Sequence, residues 1–258
     1  MNKEFCRPFL GVLALTSAFF AAPATAADLP VKARAPALVV AAPYSWSGIY
    51  IGGAAGIARN NFDWGFVAPV PATIVPFSMS ESRGTFAGFV GLQYQFSNIV
   101  VGIEGALNSL NTTADSVGCG ANPTLATLTC RAHVGQVSTF GGKLGWAGWD
   151  AMLLYAQAGW ASGTVDTRFF TTASGATFDT TSNRQNGWYA GLGVDYVLFR
   201  SGAADFLLGV DWQHLELRSS LHASPADAFN PVGPNARNLK EKTDAFRLKL
   251  TVKFNPFS

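Results

Sequence analysis

Near its C-terminus the chain reads Phe246-Arg247-Leu248-Lys249-Leu250-Thr251-Val252-Lys253-Phe254, a strict alternation of apolar and polar residues. A period of two marks a β-strand whose two faces meet different surroundings. Residues 186–198 repeat it, with Trp188, Ala190, Leu192, Val194, Tyr196 and Leu198 opposite Gly187, Tyr189, Gly191, Gly193 and Asp195. In 99–109, Val101, Ile103 and Leu107 oppose Gly102, Glu104, Ala106 and Asn108; in 204–212, Phe206, Leu208, Val210 and Trp212 oppose Gly209 and Asp211, with Gln213 next on that side. Weaker versions occupy 46–59, 84–96, 133–146 and 152–168, so the pattern predicts eight strands. In this register Phe89 and Leu153 fall on the polar face, and Leu215 and Leu217 predict a bulge late in strand seven.

Composition decides what the apolar faces meet. Charged residues make up 13% of the 258 residues, against about 25% in soluble proteins. Aromatics also reach 13%. Such a chain must bury or lipidate much of its surface, yet no segment after residue 26 is long and apolar enough for a membrane helix. A membrane barrel resolves the conflict, because each strand shows lipid only every second residue. Arg247, Lys249, Thr251 and Lys253 cannot face lipid, which assigns their side of the last strand to the interior.

The connections alternate in length. Those after strands two, four and six are short (97–98, 147–150, 200–205), and those after one, three, five and seven are long (60–83, 111–131, 169–185, 219–242). This is the asymmetry of outer-membrane barrels, whose short turns are periplasmic. The expected fold is therefore all-β: an eight-stranded antiparallel up-and-down transmembrane β-barrel with short periplasmic turns and long extracellular loops. Trp46, Phe96, Trp146, Trp149, Tyr196, Phe199, Phe206 and Phe254 lie near the periplasmic strand ends, where amphipathic rings form a girdle. A soluble lipocalin-like barrel would reverse every strand; the girdle and the turn asymmetry speak against it.

The first residues call for a separate reading. Lys3 and Arg7 precede an apolar run over 9–22, and Ala24-Thr25-Ala26 has the small-x-small form of a cleavage site, which predicts a signal peptide over 1–26. Residues 27–45, with Pro30, Pro36 and Pro43 and no strand or helix period, read as a flexible periplasmic leader, and 46–258 as the barrel. Removing the signal peptide removes Cys6, leaving Cys119 and Cys130 in a compartment where disulfides persist; a structural bridge across the loop is expected. Of 18 basic and 16 acidic residues, Lys3, Arg7 and Glu4 fall in the signal peptide, so the remainder carries +1, which gives no electrostatic support for nucleic-acid binding.

The residues with chemistry to offer gather on the interior face. Glu104, Lys143, Asp195, Asp211, Arg247, Lys249 and Lys253 place carboxylates and cations on different strands of a lumen just wide enough for side chains to fill. Buried charges must pair, so strand-eight cations are expected to meet Asp211 on strand seven and Glu104 across the lumen. This predicts an interior plug, with a narrow ion path as the alternative. His214, Glu216, Ser219, Ser220 and His222 are residue types found in lipid-modifying barrels, but their spacing matches no motif, so no enzyme is expected. With His133 they are too scattered for a metal site. No cofactor is implied. Gly52-Gly53-Ala54-Ala55-Gly56 lacks the Lys-Ser/Thr of a phosphate loop and reads as small residues in a barrel strand. The apolar stretch 66–77, with Pro69, Pro71 and Pro76, either folds over the mouth or offers an adhesive patch.

Two features resemble a known family. The leader opening Ala27-Asp28-Leu29-Pro30, followed by Trp46-Ser47-Gly48-Ile49-Tyr50-Ile51-Gly52-Gly53, and the glycine-rich strands 141–146 and 187–193 are similar to the alphaproteobacterial outer-membrane immunogenic proteins, a porin-like β-barrel family. The resemblance implies a structural, surface-exposed envelope role in the outer membrane, lipid as surroundings, the barrel-assembly machinery as partner during insertion, and host or surface ligands through the loops. It supplies no catalytic residues. A narrow porin or a surface adhesin are the alternative functions. Family members close on an aromatic residue, whereas here Phe254 is followed by Asn255-Pro256-Phe257-Ser258, so either Phe254 or Phe257 serves as the assembly signal.

Overall fold

A computed structural model describes residues 44–67, 74–149, 151–202, 204–224 and 235–254. The expected signal peptide, leader residues 27–43, the centre of the 66–77 stretch and Phe257 lie outside the described residues. Eight strands, β1 (Gly48–Val67), β2 (Phe77–Phe96), β3 (Ile99–Val117), β4 (Leu128–Trp149), β5 (Met152–Thr171), β6 (Thr177–Arg200), β7 (Ala204–Ser224) and β8 (Asn235–Phe254), pair in sequence order. β8 returns antiparallel to β1 and closes the barrel, so no edge is left unpaired.

The strands are about twice as long as the apolar alternation alone marks. Residues expected in the loops 60–83, 111–131, 169–185 and 219–242 largely continue the hairpins. The reason is an inversion of polarity along each strand. From the short-turn end the outward face is apolar up to Ile57, Phe86, Leu107, Phe140, Trp160, Trp188, Trp212 and Phe246. The next outward positions are Arg59, Gly84, Ser109, Ser138, Ser162, Asn186, His214 and Asp244. On β1 and β8 the apolar band spans residues 49–57 and 246–254, the length a tilted strand needs to cross the hydrocarbon.

Beyond that line the inside turns apolar instead. Phe62, Trp64, Leu110, Val134, Val165, Leu215, Leu217 and Leu239 form a buried core within the extracellular half of the barrel. Water lies outside this half, so its core is assembled as in a soluble protein, by removing apolar surface from water. Leu215 and Leu217 therefore point inward in unbroken register with β6; the expected bulge does not account for them, and the β7 register with β8 shifts only after Leu217. Phe66, Ile74 and Phe77 pack against this core, so the described ends of the 66–77 stretch fold over the mouth. Cys119 and Cys130 are bonded at 1.96 Å, tying the turn Gly118–Ala121 to β4 above the same core.

Candidate functional site

The site is the lumen, which is filled in layers. At the short-turn end, Tyr44, Trp46, Val100, Leu153, Val197 and Leu207 make a small apolar cluster across the mouth. Trp46 is 1% exposed and stacks edge-on against Tyr44 at 5.0 Å, so it belongs to the lumen and not to the girdle, and β1 begins after it at Gly48. Tyr44 and Ser45, expected in a flexible leader, are held here as well. The backbone of 44–47 is tied down on three sides: Trp46 N donates to Gln95 Oε1 at 2.7 Å, Gln93 Nε2 donates to Trp46 O at 2.7 Å, and Lys253 Nζ donates to Ser45 O at 2.6 Å. Tyr44 donates its hydroxyl to Asp205 Oδ2 at 2.8 Å, and burial with that contact holds the phenol above its ordinary range. Asp205, where the expected turn 200–205 overlaps the expected strand 204–212, lies on β7 and sits 3.4 Å from Lys253 Nζ.

Above this cluster lies the charged layer. Lys143 Nζ donates to Asp195 Oδ2 at 3.1 Å, and Lys249 Nζ lies 3.9 Å from the other oxygen while donating to Tyr155 at 2.8 Å. Arg247 grips Asp211 with two hydrogen bonds, Nε to Oδ1 at 2.9 Å and Nη2 to Oδ2 at 2.8 Å, and Nη1 donates to Asn108 Oδ1 at 2.6 Å. Glu104 departs from expectation. No strand-eight cation among the described residues reaches it; Tyr50 donates its hydroxyl to Glu104 Oε2 at 3.0 Å, while Arg247 is taken by Asn108 and Asp211 and Lys249 by Tyr155 and Asp195. Two glycines make room for the lumen tyrosines: a Cβ on Gly91 or Gly193 would stand 2.4 Å from the hydroxyl of Tyr50 or Tyr155. Phe89, on the interior face as expected, packs on Tyr50 and lies 4.6 Å beneath the Lys249 ammonium, a cation–π contact.

Polar groups are set into the membrane-side edge of the extracellular core, where Leu215 stands opposite Thr243. Asn60 Nδ2 donates to Thr112 Oγ1 at 2.8 Å, and Thr243 Oγ1 donates to Asn60 Oδ1 at 2.7 Å. Glu241 stands beyond the lipid line, fully buried, with Thr243 on Oε1 and no hydrogen-bond partner on Oε2 among the described residues. Burial pushes its carboxyl up to about 8. Higher still, Arg237 joins Asp179 and Thr167 over the ring of Phe169. Asn60, Glu241, Arg237 and Asp179 escaped the sequence reading because they lie in segments assigned to loops. Tyr155 on strand five and Lys249 on strand eight are both legible by parity as interior residues; that the two meet is not.

The remaining chemically equipped residues face outward and are engaged separately. His214 Nδ1 meets Asp244 at 2.9 Å, Glu216 pairs with Lys240 at 2.8 Å, and His133 Nδ1 meets Thr113 Oγ1 at 2.9 Å. The side chains of Ser220 and His222 lie outside the described residues. Among the described residues no three metal-ligating side chains converge.

The sequence matches the outer membrane protein beta-barrel domain over residues 12–254. The 31 kDa outer-membrane immunogenic protein of Brucella melitensis biotype 1 is 31% identical over 199 residues, which cover 72% of this chain and 80% of that protein. The same protein of Brucella suis biovar 1 matches to the same extent. Among solved structures, Ail, the attachment invasion locus protein of Yersinia pestis, superposes with a TM-score of 0.36 at 11% identity, covering 79% of this chain and 99% of Ail. The Escherichia coli outer membrane protease OmpT gives 0.42 at 9% identity, covering 80% and 97%.

Proposed function

Because the chain belongs to the outer membrane protein beta-barrel domain family, we propose that it serves the bacterial envelope as a packed, non-conducting barrel that displays its extracellular half on the cell surface. It is a surface protein of the outer membrane. One observation supports this structural role: the charged layer of the lumen lies between the apolar cluster at the short-turn mouth and the larger apolar core at the other. An ion following the Lys143–Asp195–Lys249 row would have to cross both, and apolar constrictions exclude water and ions. The buried pairs then act as internal braces between strands that are not themselves paired, β4 to β6 and β8 to β6, and between the paired neighbours β7 and β8.

A non-enzymatic role is supported by the separate engagement of His214 and Glu216 on the outer wall of β7. Lipid surrounds the apolar band. The barrel-assembly machinery is the expected partner during insertion, with Phe254 in reach as the last residue of β8, and the extracellular hairpins are where a host or surface ligand would dock. Planar-bilayer recording of the purified protein tests the reading. It should give no stepwise conductance, whereas steps that disappear in Asp211→Ala or Arg247→Ala would establish the porin alternative.

A further inference from the structure

Just beyond the lipid line, the outer wall of β4–β6 carries a depression beside a bulge. Pairing of β4 with β5 slips by one residue between Val134 and Val137, so Gly135 and Gln136 bulge from the ladder. There a depression of about 300 Å³ opens outward, lined by His133, Gln136, Ser138, Ser162, Asp166 and Arg184. Its depth in the membrane follows from rows of outward residues that cross the three strands. Leu144–Ala156–Leu192, Gly142–Ala158–Ala190 and Phe140–Trp160–Trp188 face lipid, and the next row, Ser138–Ser162–Asn186, begins the polar wall. The depression thus sits at headgroup level, directly over an aromatic shelf. Beneath that shelf a shallow apolar groove of about 590 Å³ runs over Gly142, Ala158 and Ala190.

The side chains of the depression are held apart from the ion pairs elsewhere on the outer surface. Arg131, Lys240 and Lys242 are matched to Asp115, Glu216 and Asp63. Arg184 donates through Nε to Ser162 Oγ at 2.9 Å, which leaves its two terminal amino groups, and it forms no ion pair among the described residues. Neither does Asp166. Arg184, Gln136, His133 and two serines offer donors, and Asp166 and Gln136 offer acceptors, within one open pocket. Sugar hydroxyls both give and accept hydrogen bonds and need such a mixture, while a simple phosphate ester needs donors alone.

We propose that this depression is a binding site for the sugar headgroup of an outer-leaflet glycolipid, whose acyl chain lies past the Phe140–Trp160–Trp188 shelf in the groove below. The site rests on the outer-membrane placement stated above. Native mass spectrometry of the membrane-extracted protein tests it, with lipid A, an acylated and phosphorylated glucosamine disaccharide, as probe. The wild type should hold one lipid A. Arg184→Ala and Asp166→Ala should each lower that adduct by about tenfold, the loss expected for one charge-assisted hydrogen bond. Arg59→Ala, a cation at the same level on β1, should leave it unchanged. Equal adducts in wild type and Arg184→Ala, or equal retention of phosphatidylglycerol, would overturn the site. Every variant is first checked for the heat-dependent shift in electrophoresis; a wild type lacking that shift would undo the barrel reading, and the site with it.

Discussion

Truncating Arg247 to alanine probes the packed lumen at its centre. Arg247 and Asp211 are 5% and 2% exposed and joined by two hydrogen bonds, and Arg247 also holds Asn108. Arg247→Ala leaves a buried carboxylate without its clamp. Breaking a buried pair by removing one partner costs about 3–5 kcal/mol, far more than the about 0–1 kcal/mol of a solvated pair. The double variant Arg247→Ala/Asp211→Ala removes the orphaned charge, so it should be more stable than Arg247→Ala even though it lacks more atoms. Urea unfolding in lipid vesicles, followed by tryptophan fluorescence, reads all three proteins. If Arg247→Ala costs under about 1 kcal/mol, water reaches Asp211 and the sealed-lumen account is wrong.

Three other expectations concern the two ends of the barrel. The Glu241 carboxyl ionises near 4.5 when unfolded and is pushed up to about 8 when folded. Its contribution is fully favourable below the lower value, is lost as pH rises between the two, and falls by at most about 5 kcal/mol; Glu241→Gln should flatten that part of the stability-versus-pH curve, and an unchanged curve would show that Glu241 is solvated. Reducing Cys119–Cys130 releases a loop 11 residues in separation, worth about 3 kcal/mol by chain entropy; tryptic cleavage after Arg131 should rise while the heat-dependent electrophoretic shift persists, and equal cleavage with and without reductant would count against a local cap. Trp46→Ala removes a side chain that fills the short-turn mouth and should cost about 3–5 kcal/mol, measured by the urea midpoint; a loss within about 1 kcal/mol would mean that 44–47 is not packed in the mouth.

The membrane half of this barrel was legible because lipid outside and crowded polar groups inside force opposite residue types onto alternate positions. The β8 run from Phe246 to Phe254 marks a two-faced strand, and the girdle and turn asymmetry decide which face meets lipid. The extracellular half obeys the same period with its polarity reversed, and there the outward residues are Ser78, Ser80 and Ser82 on β2 or Asn111, Thr113 and Asp115 on β3. Such residues have the composition of loops, so apolar alternation alone does not mark these segments as strands, and Leu215 and Leu217 mark the crossing into a water-surrounded core rather than a slip of register. Trp46 was misplaced because position near a strand end does not tell a girdle ring from one folded into the mouth. The partner of Glu104 was lost for a related reason: alternation assigns a residue to the lumen but not to a height or an azimuth, and Tyr50, one strand-face neighbour among several, reaches it first. The depression beside Arg184 depends on a one-residue bulge at Gly135 and on the register of three strands, none of which leaves a local trace in the sequence.

The inversion of polarity along the strands underlies both the sealed lumen and the headgroup-level site, and labelling along one strand tests it most directly. Single cysteines carrying a nitroxide at the outward positions 254, 252, 250, 248, 246, 244, 242 and 240 of β8, in the protein reconstituted in vesicles, report contact with lipid-soluble oxygen or with a water-soluble relaxant. Oxygen contact should dominate from 254 to 246 and give way to water contact from 244 onward, at the step from Phe246 to Asp244. Oxygen contact continuing through 240, or water contact already at 250, would contradict the account.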